Sequence, residues 1–285
     1  MILDSNINMR NTPEIKVGIV GVSRDCFPVE LARSRLGRVE RACSVKRLPV
    51  EVCGTIVEGE NDLPGVLNEL DESGANVLVI YLGNFGPEGP LSILARKAGR
   101  PFMVCGAAEE SRETLVEGRG DAYCGMLNAC FNLGLRNIRA HVPETPVGLP
   151  EDIALMIESF IPAARVVLGL KDLKVLSFGP RPQDFYACNA PLKPLYDLGI
   201  EVMENSELDL FEKYKAAADR KTEVESISRD MAKELGAGNT YSEKLAAIAQ
   251  FEIALTGFFE ENLGTRRFGV YANKCWPAFE KAFGF

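Results

Sequence analysis

The chain has 285 residues, which is long enough for two domains that each bury a hydrophobic core. Hydrophobic residues make up 46% and charged residues 25% of the chain, and these values exclude a disordered or fibrous protein. With 32 basic and 40 acidic side chains the net charge is −8, so we expect no affinity for nucleic acid or for an anionic membrane surface.

The first half of the sequence alternates apolar strand patterns with helical patterns. Strands are predicted at 15–22, 50–57, 76–82 and 101–105, with a weak one at 137–142. Helices are predicted at 28–36 and 62–72, from residue 89 through about 97, at 109–135 with a break at 118–120, and at 151–168. Strands that alternate with helices predict parallel βαβ units with helices on both faces of the sheet.

The second half repeats this pattern after a proline-rich passage at 143–150. It has predicted strands beginning at 173, at 200–203 and at 268–272, and a helix-rich stretch that ends at 262. We therefore predict an α/β protein with two doubly wound (Rossmann/flavodoxin-like) parallel-sheet domains in tandem. The predicted domains are 1–169 and 170–285.

Cysteine usage indicates a reducing compartment. The eight cysteines include no Cys-x-x-Cys pair, and several lie in apolar segments, as Cys105 does. No signal peptide is recognisable, and the apolar stretches fall short of a membrane span. We expect a cytoplasmic protein that does not interact with membranes.

Candidate binding residues follow the predicted strands, where α/β proteins bind ligands. Arg24 comes two residues after the first strand, and Arg181 holds the equivalent place in the second domain. Each is either a surface or ion-pairing residue or a contact to a sugar hydroxyl or phosphate. The loop Gly83-x-x-Gly-x-x-Gly89 lies before a helix N-terminus, which favours anions and polar ligands. Its glycine spacing differs from the dinucleotide-binding fingerprint, and tight turns alone are an alternative explanation of these glycines.

Three other features have competing interpretations. The basic residues of the first helix region are most simply a solvated helix face, with a phosphate or subunit contact as the alternative; they are Arg33, Arg35, Arg38, Arg41, Lys46 and Arg47. His141 has no second histidine near it, and Glu144 is the one acidic residue at ligand spacing, so it is interpreted as structural or surface-exposed. Cys188-Asn189-Ala190 is similar to an element of cysteine-based racemases, whose second cysteine motif is missing here.

Five stretches together resemble a known family. They are Val17 to Asp25, Val77 to Gly89 with Gly83-Asn-Phe-Gly86, Val175 to Phe185, Phe211 to Ala217, and Ala272-Asn-Lys-Cys-Trp-Pro277. In this order they are similar to the L-fucose isomerase and L-arabinose isomerase family, and nearest to its fucose-isomerase-like members. The last stretch is the most specific.

The resemblance implies a metal-dependent aldose–ketose isomerase (an intramolecular oxidoreductase) in the cytoplasm, with a sugar substrate and a homo-oligomeric assembly, a trimer or hexamer. In the family, an arginine and an aromatic residue of the first domain reach a neighbouring subunit's pocket, and these match Arg24 and Phe85. Sugar contacts from the last loop of the second domain match Asn273, Lys274 and Trp276. A lysine at position 274 also suits an anionic substituent such as a phosphate or sulfonate.

The family enzyme uses a divalent metal, usually Mn²⁺, held by ligands downstream of the Trp-Pro motif, and a carboxylate base that moves a proton between C1 and C2. No position of this chain matches those ligands or that base, so we expect no catalytic or metal-binding residue and a chain that stops before a C-terminal catalytic domain. Three hypotheses follow. They are the N-terminal portion of a sugar isomerase, a non-catalytic two-lobed sugar-binding or assembly module, and a cysteine racemase.

Overall fold

The computed structural model describes residues 12–111, 118–179, 184–188, 191–273 and 279–285, and its elements follow the alternation of strands and helices in the sequence. The chain divides into two units, Met1–Leu168 (unit 1) and Gly169–Phe285 (unit 2). Each unit is built on a sheet whose strands are all parallel. The predicted α/β class with two parallel sheets is confirmed.

Unit 1 alternates strands and helices from its first strand onward. Its strands are β1 (Val17–Val22), β2 (Val50–Val52), β3 (Val77–Leu82), β4 (Phe102–Ala107) and β5 (Val147–Gly148). Its helices are α1 (Val29–Val45), α2 (Leu63–Glu72), α3 (Glu88–Ala98), α4 (Ala122–Leu135) and α5 (Pro150–Lys171), and a 3₁₀ turn lies at Glu60–Asp62.

The sheet of unit 1 has the strand order β2-β1-β3-β4-β5. Val17 pairs with Val77 and Val22 pairs with Leu82, so β1 and β3 run side by side over their full length. Every residue of β1, β3 and β4 is buried. These strands are continuous apolar runs because helices cover both faces of a parallel sheet.

Two layers of helices enclose this sheet. The chain moves in one direction from β1 to β2 and in the other direction from β2 to β3, β4 and β5. Right-handed crossovers therefore place α1 on one face and α2, α3 and α4 on the other. The contacts agree with this placement. On one face, α2 touches α3 and α3 touches α4. On the α1 face, Lys46 after α1 pairs with Glu158 of α5 at 2.7 Å.

The fifth strand of unit 1 corrects the prediction from the sequence. The segment 137–142 forms no strand; His141 alone makes an isolated bridge to Met103. The fifth strand is Val147–Gly148, inside the proline-rich passage, and the amide of Gly106 donates to the carbonyl of Pro146 beside it. A strand of two residues is too short to show a periodic pattern in the sequence. Its position is set by its pairing with β4.

Two further boundaries differ from the prediction. Helix α1 continues to Val45, nine residues beyond the predicted end at Leu36. Strand β2 ends at Val52, and Val57 forms only an isolated bridge with Val22.

Helix α5 has 22 residues and is, within the described part of the chain, the one helix long and apolar enough to cross a membrane. A core helix meets the same criterion. Ile153, Ala154, Ile157, Phe160, Ile161 and Ala164 are buried in the core of unit 1.

Unit 2 repeats the arrangement on a smaller scale. Its strands are β6 (Leu173–Phe178), β7 (Glu201–Asn205) and β8 (Phe268–Asn273), in the order β7-β6-β8. Its helices are α6 (Leu192–Asp197), α7 (Glu207–Ala217), α8 (Lys221–Leu235), α9 (Leu245–Asn262) and α10 (Phe279–Phe283), with 3₁₀ turns at Tyr186–Cys188, Gly236–Gly238 and Ser242–Lys244.

The core of unit 2 is aromatic and lies between the sheet and helices α7, α9 and α10. Phe178 of β6 packs edge-on against Phe258 of α9, with ring centroids 4.9 Å apart. Helix α7 starts at a capping box, in which Ser206 Oγ accepts from the amide of Leu208 and Asp209 accepts from the amide of Ser206. This cap fixes the turn that follows β7.

Candidate functional site

The carboxyl edge of the unit 1 sheet has a switch point between β1 and β3. The chain leaves β1 toward β2 on one side and leaves β3 toward β4 on the other, so the loops after β1 and β3 diverge. Open parallel sheets bind ligands in the crevice that such a divergence creates. Arg24 follows β1, and Phe85 follows β3, so both predicted residues lie at this crevice.

Asn84 joins the two loops. It is fully buried, and its side-chain oxygen accepts from the amides of Arg24 (3.0 Å) and Gly86 (3.3 Å). Its side-chain nitrogen donates to Ser23 Oγ at 2.8 Å and to the carbonyl of Pro28 at 3.3 Å. Because a buried amide without partners is costly, Asn84 fixes the loops relative to each other.

The guanidinium of Arg24 lies over the ring of Phe85, with 4.7 Å from its central carbon to the ring centroid. Its Nε donates to the carbonyl of Gly86 at 3.1 Å, and its Nη2 pairs with Glu88 at 3.1 Å. Phe27 stacks on Phe85 at 5.7 Å between ring centroids. Arg24 remains 33% exposed, so it can still donate hydrogen bonds to a ligand.

Glu88 connects this edge to helix α4. It is the first residue of α3, where a carboxylate is favoured by the helix dipole. Its second oxygen accepts from Asn132 of α4 at 2.6 Å. The position of Arg24 is therefore set by the loop after β3 and by Glu88 of α3, which Asn132 of α4 holds in turn.

A buried ion cluster supports the loop after β3. Arg35 of α1 is 1% exposed, and its Nη1 donates to the carbonyl of Gly83 at 2.9 Å. Its Nη2 pairs with Glu109 at 2.8 Å and with Glu110 at 2.7 Å. The other oxygen of Glu109 accepts from the amides of Gly120 and Asp121, both at 2.8 Å. One arginine thus links the loops after β3 and β4.

The cluster shifts the pKa values of its members. Burial alone would lower the pKa of Arg35, but hydrogen bonds to Glu110 and Glu109 and their charges raise it above its ordinary value. The hydrogen bond from Arg35, with a further one from Arg38, lowers the pKa of Glu110 to about 2. The interpretation of Arg35 as part of a solvated helix face is therefore wrong, because two carboxylates 74 and 75 residues away compensate its burial.

The unit 2 sheet has a switch point of the same kind, between β6 and β8. Asn273 is the last residue of β8 and is in register with Phe178 at the end of β6, so this predicted residue lies at that edge. Asn205 flanks Phe178 on the other side and donates to the carbonyls of Ser177 and Met203. Lys274 and Trp276, and also Arg181, lie outside the described residues.

A family model for the N-terminal domain of fucose/sulfoquinovose isomerases matches residues 18–171, more than half of the chain. The chain belongs to the fucose/sulfoquinovose isomerase family. No curated protein sequence matches it. The matched segment contains β1 except Val17 and all of β2 to β5, and therefore the whole Arg24 edge of this isomerase-family chain.

The Mn²⁺ expected from the resemblance has no fitting site in the described part of this isomerase-family chain. No group of three or more His, Cys, Asp or Glu side chains that could hold a metal occurs among those residues. The ring of His141 stacks on Phe160 at 4.8 Å between centroids, which gives this histidine a packing contact. Cys188 is exposed, and its neighbours Asn189 and Ala190 lie outside the described residues.

Sequence reasoning missed the side chains that hold Arg24 in place. Asn84 and Glu88 lie in a glycine- and proline-rich loop, and Asn132 lies in the middle of an apolar helix. Their contacts join residues 44 to 64 positions apart. The one signal available was the polar character of Asn84 directly after an apolar strand.

Proposed function

We propose that the edge formed by Arg24, Phe85 and Glu88 binds a monosaccharide, as the sugar-recognition part of an aldose–ketose isomerase. The observation that carries this proposal is the Arg24 guanidinium held 4.7 Å from the Phe85 ring at the switch point. A guanidinium offers several donors in one plane, of which Arg24 uses Nε and Nη2 within the protein and keeps others for a ligand, and the half-buried Phe85 ring adds apolar surface beside it. Together they suit a sugar, which presents hydroxyl groups beside apolar C–H surface.

The charge balance at this edge favours an uncharged sugar. Glu88 pairs with Arg24, so the guanidinium brings no excess positive charge. A sulfonate or phosphate would have to compete with the Glu88 carboxylate, whereas a hydroxyl can accept from Arg24 without displacing it. We therefore propose a neutral sugar for this edge; the anionic alternative depends on Lys274, which lies outside the described residues.

The described residues have a role in recognition rather than in proton transfer. In the complete enzyme that we propose, a carboxylate base moves a proton between C1 and C2 through an enediol. The resemblance supports Mn²⁺ as the cofactor of that enzyme. Arg24 and Phe85 would orient the sugar, with Asn84 holding their two loops in place, and Asn273 with Lys274 and Trp276 are proposed as further sugar contacts.

The cellular setting and the assembly are also proposed. We infer a homo-oligomer, a trimer or a hexamer, in the cytoplasm and without nucleic-acid or membrane partners. The seven cysteines in the described part of the chain are free thiols, which supports a reducing compartment. The net charge of −8 supports the absence of nucleic-acid binding.

Binding at the Arg24 edge is tested by ligand-observed NMR with L-fucose and with sulfoquinovose. Arg24→Ala should weaken sugar binding at least about tenfold, because a charged hydrogen-bond donor is lost. Arg24→Lys should recover little, since lysine lacks the planar fork, and Arg33→Ala on exposed α1 surface is the matched control. Unchanged affinity in Arg24→Ala would remove this edge as the binding site. Tighter binding of sulfoquinovose than of L-fucose would reject the neutral-sugar proposal.

A non-catalytic sugar-binding or assembly module is the second candidate function, and the described residues, among which no metal cluster occurs, are compatible with it. Incubation with Mn²⁺ and L-fucose, L-arabinose or D-arabinose, followed by a ketose assay, tests for turnover by this chain. Ketose formation establishes the isomerase; sugar binding without ketose is expected for the module and for an N-terminal portion alike, and ketose that forms only after addition of a metal-binding catalytic domain of the family favours the portion over the module. The racemase hypothesis requires racemisation that Cys188→Ser abolishes.

A further inference from the structure

The outer face of helix α4 carries four large apolar side chains that are 60% to 66% exposed. They are Tyr123, Leu127, Phe131 and Leu135, which we call the α4 ridge. Their spacing of four residues places them in a single row along the helix. The opposite side of α4 is buried in the core of unit 1 through Ala122, Met126, Ala129 and Leu133. A continuous exposed apolar row of this kind marks an interaction surface.

The rows on either side of the ridge consist of smaller residues. Cys130 and Gly134 lie on one side, and Cys124 and Asn128 lie on the other. Rows of large residues pack into the grooves between rows on a facing helix, and two rows of this four-residue type cross at about −50°. The α4 surface has both a ridge and shallow grooves, so a second copy of the same helix is complementary to it.

Charge also favours a second copy as the partner. All fourteen residues of α4 are uncharged, whereas each copy of the chain carries a net charge of −8. Two copies can therefore approach through this surface without placing like charges in contact. Asp121 precedes the helix and Arg136 follows it. Antiparallel packing about a two-fold axis would bring these opposite charges toward each other.

The area is sufficient for such a contact. Each ridge side chain leaves roughly 100 Å² exposed, so the ridge offers about 400 Å² on one copy. With the flanking rows included, two copies reach the total of about 1,000 Å² that a specific interface requires. The border of the surface is set by Asn132, which is turned toward Glu88 at 2.6 Å.

We propose that the α4 ridge is a surface through which two copies of this chain associate around a two-fold axis. The proposal rests on the homo-oligomeric state proposed above, in its hexameric form, because a pair of trimers is related by two-fold axes and a single trimer has none. It assigns that two-fold contact to particular residues. It does not depend on sugar binding or catalysis.

Sedimentation velocity of Leu127→Glu and Phe131→Glu over a wide concentration range tests the surface. Both variants should shift the protein toward smaller species, because each places a charge on both sides of the two-fold contact. Val45→Glu is the matched control, since Val45 is an 85% exposed apolar residue at the end of α1. An oligomer that neither α4 variant changes would overturn this surface and leave the oligomeric state standing. A wild-type chain that is monomeric at every concentration would overturn both this surface and the proposed homo-oligomer.

Cysteine labelling provides a second test that needs no substitution. Cys124 lies beside the ridge, and Cys26, between β1 and α1, is also exposed, so each can be followed with a maleimide by mass spectrometry. Raising the concentration of the wild-type protein should slow labelling of Cys124 and leave Cys26 unchanged. Phe131→Glu should abolish that protection. Equal labelling of Cys124 at all concentrations would contradict the proposal even if the glutamate variants failed to fold.

Discussion

At the scale of single residues, Arg35 shows how a charge becomes part of a protein core. Its side chain is 2% exposed and pairs with two carboxylates and a backbone carbonyl. A buried ion pair adds little net stability, but loss of Arg35 would leave the Glu109 carboxylate, which is 16% exposed, without its cation. Arg35 therefore supplies the positive charge and the hydrogen bonds that its carboxylate and carbonyl partners need.

Arg35→Met should lower the free energy of unfolding by about 3 kcal/mol, because Glu109 loses the cation that compensates it and Glu110 keeps only Arg38. Arg33→Met is the control on the same helix; its side chain is 53% exposed, so the change should be within about 0.5 kcal/mol. Urea denaturation measures both. Equal costs for the two variants would show that the cluster does not stabilise unit 1.

The pKa of Glu110 makes stability depend on pH in a defined range. Its pKa is lowered from 4.5 to about 2 in the folded protein, so the folded carboxylate stays ionised when the unfolded one takes up a proton. The stabilisation is thus present above pH 4.5 and is lost as the pH falls toward about 2. The stability difference between wild type and Glu110→Gln should be constant at neutral pH and shrink through this range.

Urea titrations of both proteins at a series of acidic pH values measure that difference. In an Arg38→Met background the decline should be weaker, because Arg38 also donates to Glu110. A difference that does not change between neutral and acidic pH would contradict the assignment.

At the scale of elements, the contact between α4 and the loop after β3 depends on Gly125. A Cβ atom at this position would lie 1.9 Å from the carbonyl oxygen of Phe85, and a backbone atom cannot yield without moving the loop. Gly125→Ala should therefore destabilise the protein by about 1–3 kcal/mol and weaken sugar binding at the Arg24 edge.

Gly37→Ala in the middle of α1 is the matched control for Gly125→Ala. The nearest neighbour of its added Cβ is the end of the Arg41 side chain at 3.9 Å, so the alanine should stabilise the helix by about 0.5–1 kcal/mol. Thermal unfolding and the NMR binding assay measure both variants. A Gly125→Ala protein as stable as Gly37→Ala would mean that the loop can shift without cost.

The elements of this fold could be predicted from sequence where their pattern is long. The runs that form β1, β3 and β4 are apolar throughout, and the structure places them at the centre of the sheet. Strand β5 could not be predicted, because its two residues are selected by hydrogen bonds from β4. Segment 137–142 alternates polar and apolar residues, as a half-buried strand does, but contributes only the bridge of His141.

The candidate site was predicted in part, because local sequence patterns locate strand ends but not the contacts between distant residues. The end of the first strand indicated where Arg24 would lie, the family resemblance pointed to Phe85, and the topology brings the two to one edge. The residues that fix Arg24 could not be predicted, because Asn84, Glu88 and Asn132 act through pairings that only the packed helices create. Arg35 resembled an exposed arginine for the same reason, since Glu109 and Glu110 are 74 and 75 residues away.

At the scale of the whole molecule, both units use the same strand order. The second strand pairs on one side of the first, and the third pairs on the other, in β2-β1-β3 and in β7-β6-β8. Each unit therefore has its own switch point and its own hydrophobic core. The core of unit 1 is aliphatic around its strands, and that of unit 2 is built from aromatic rings.

Phe251 of α9 is the centre of the aromatic core in unit 2. It is 6% exposed and makes edge-on contacts with Phe279, Phe283 and Phe285, at 5.6, 5.2 and 5.2 Å between ring centroids. Phe251→Ala should destabilise unit 2 by about 3–5 kcal/mol, because the cavity cannot close around rigid rings. Tyr241→Ala, at a 67% exposed position of the same unit, should have little effect.

Amide hydrogen exchange separates the response of the two cores to this change. In Phe251→Ala, the amides of β6 should lose protection while those of β1 and β3 keep it, because no side chain of the unit 1 core belongs to the Phe251 cluster. Leu78→Ala, which removes a fully buried side chain of β3, should show the reverse pattern with a cost of about 2–5 kcal/mol. Equal loss of protection in β1 and β6 for either variant would mean that the units unfold as a single cooperative structure, and the Arg24 edge would then depend on the aromatic core of unit 2.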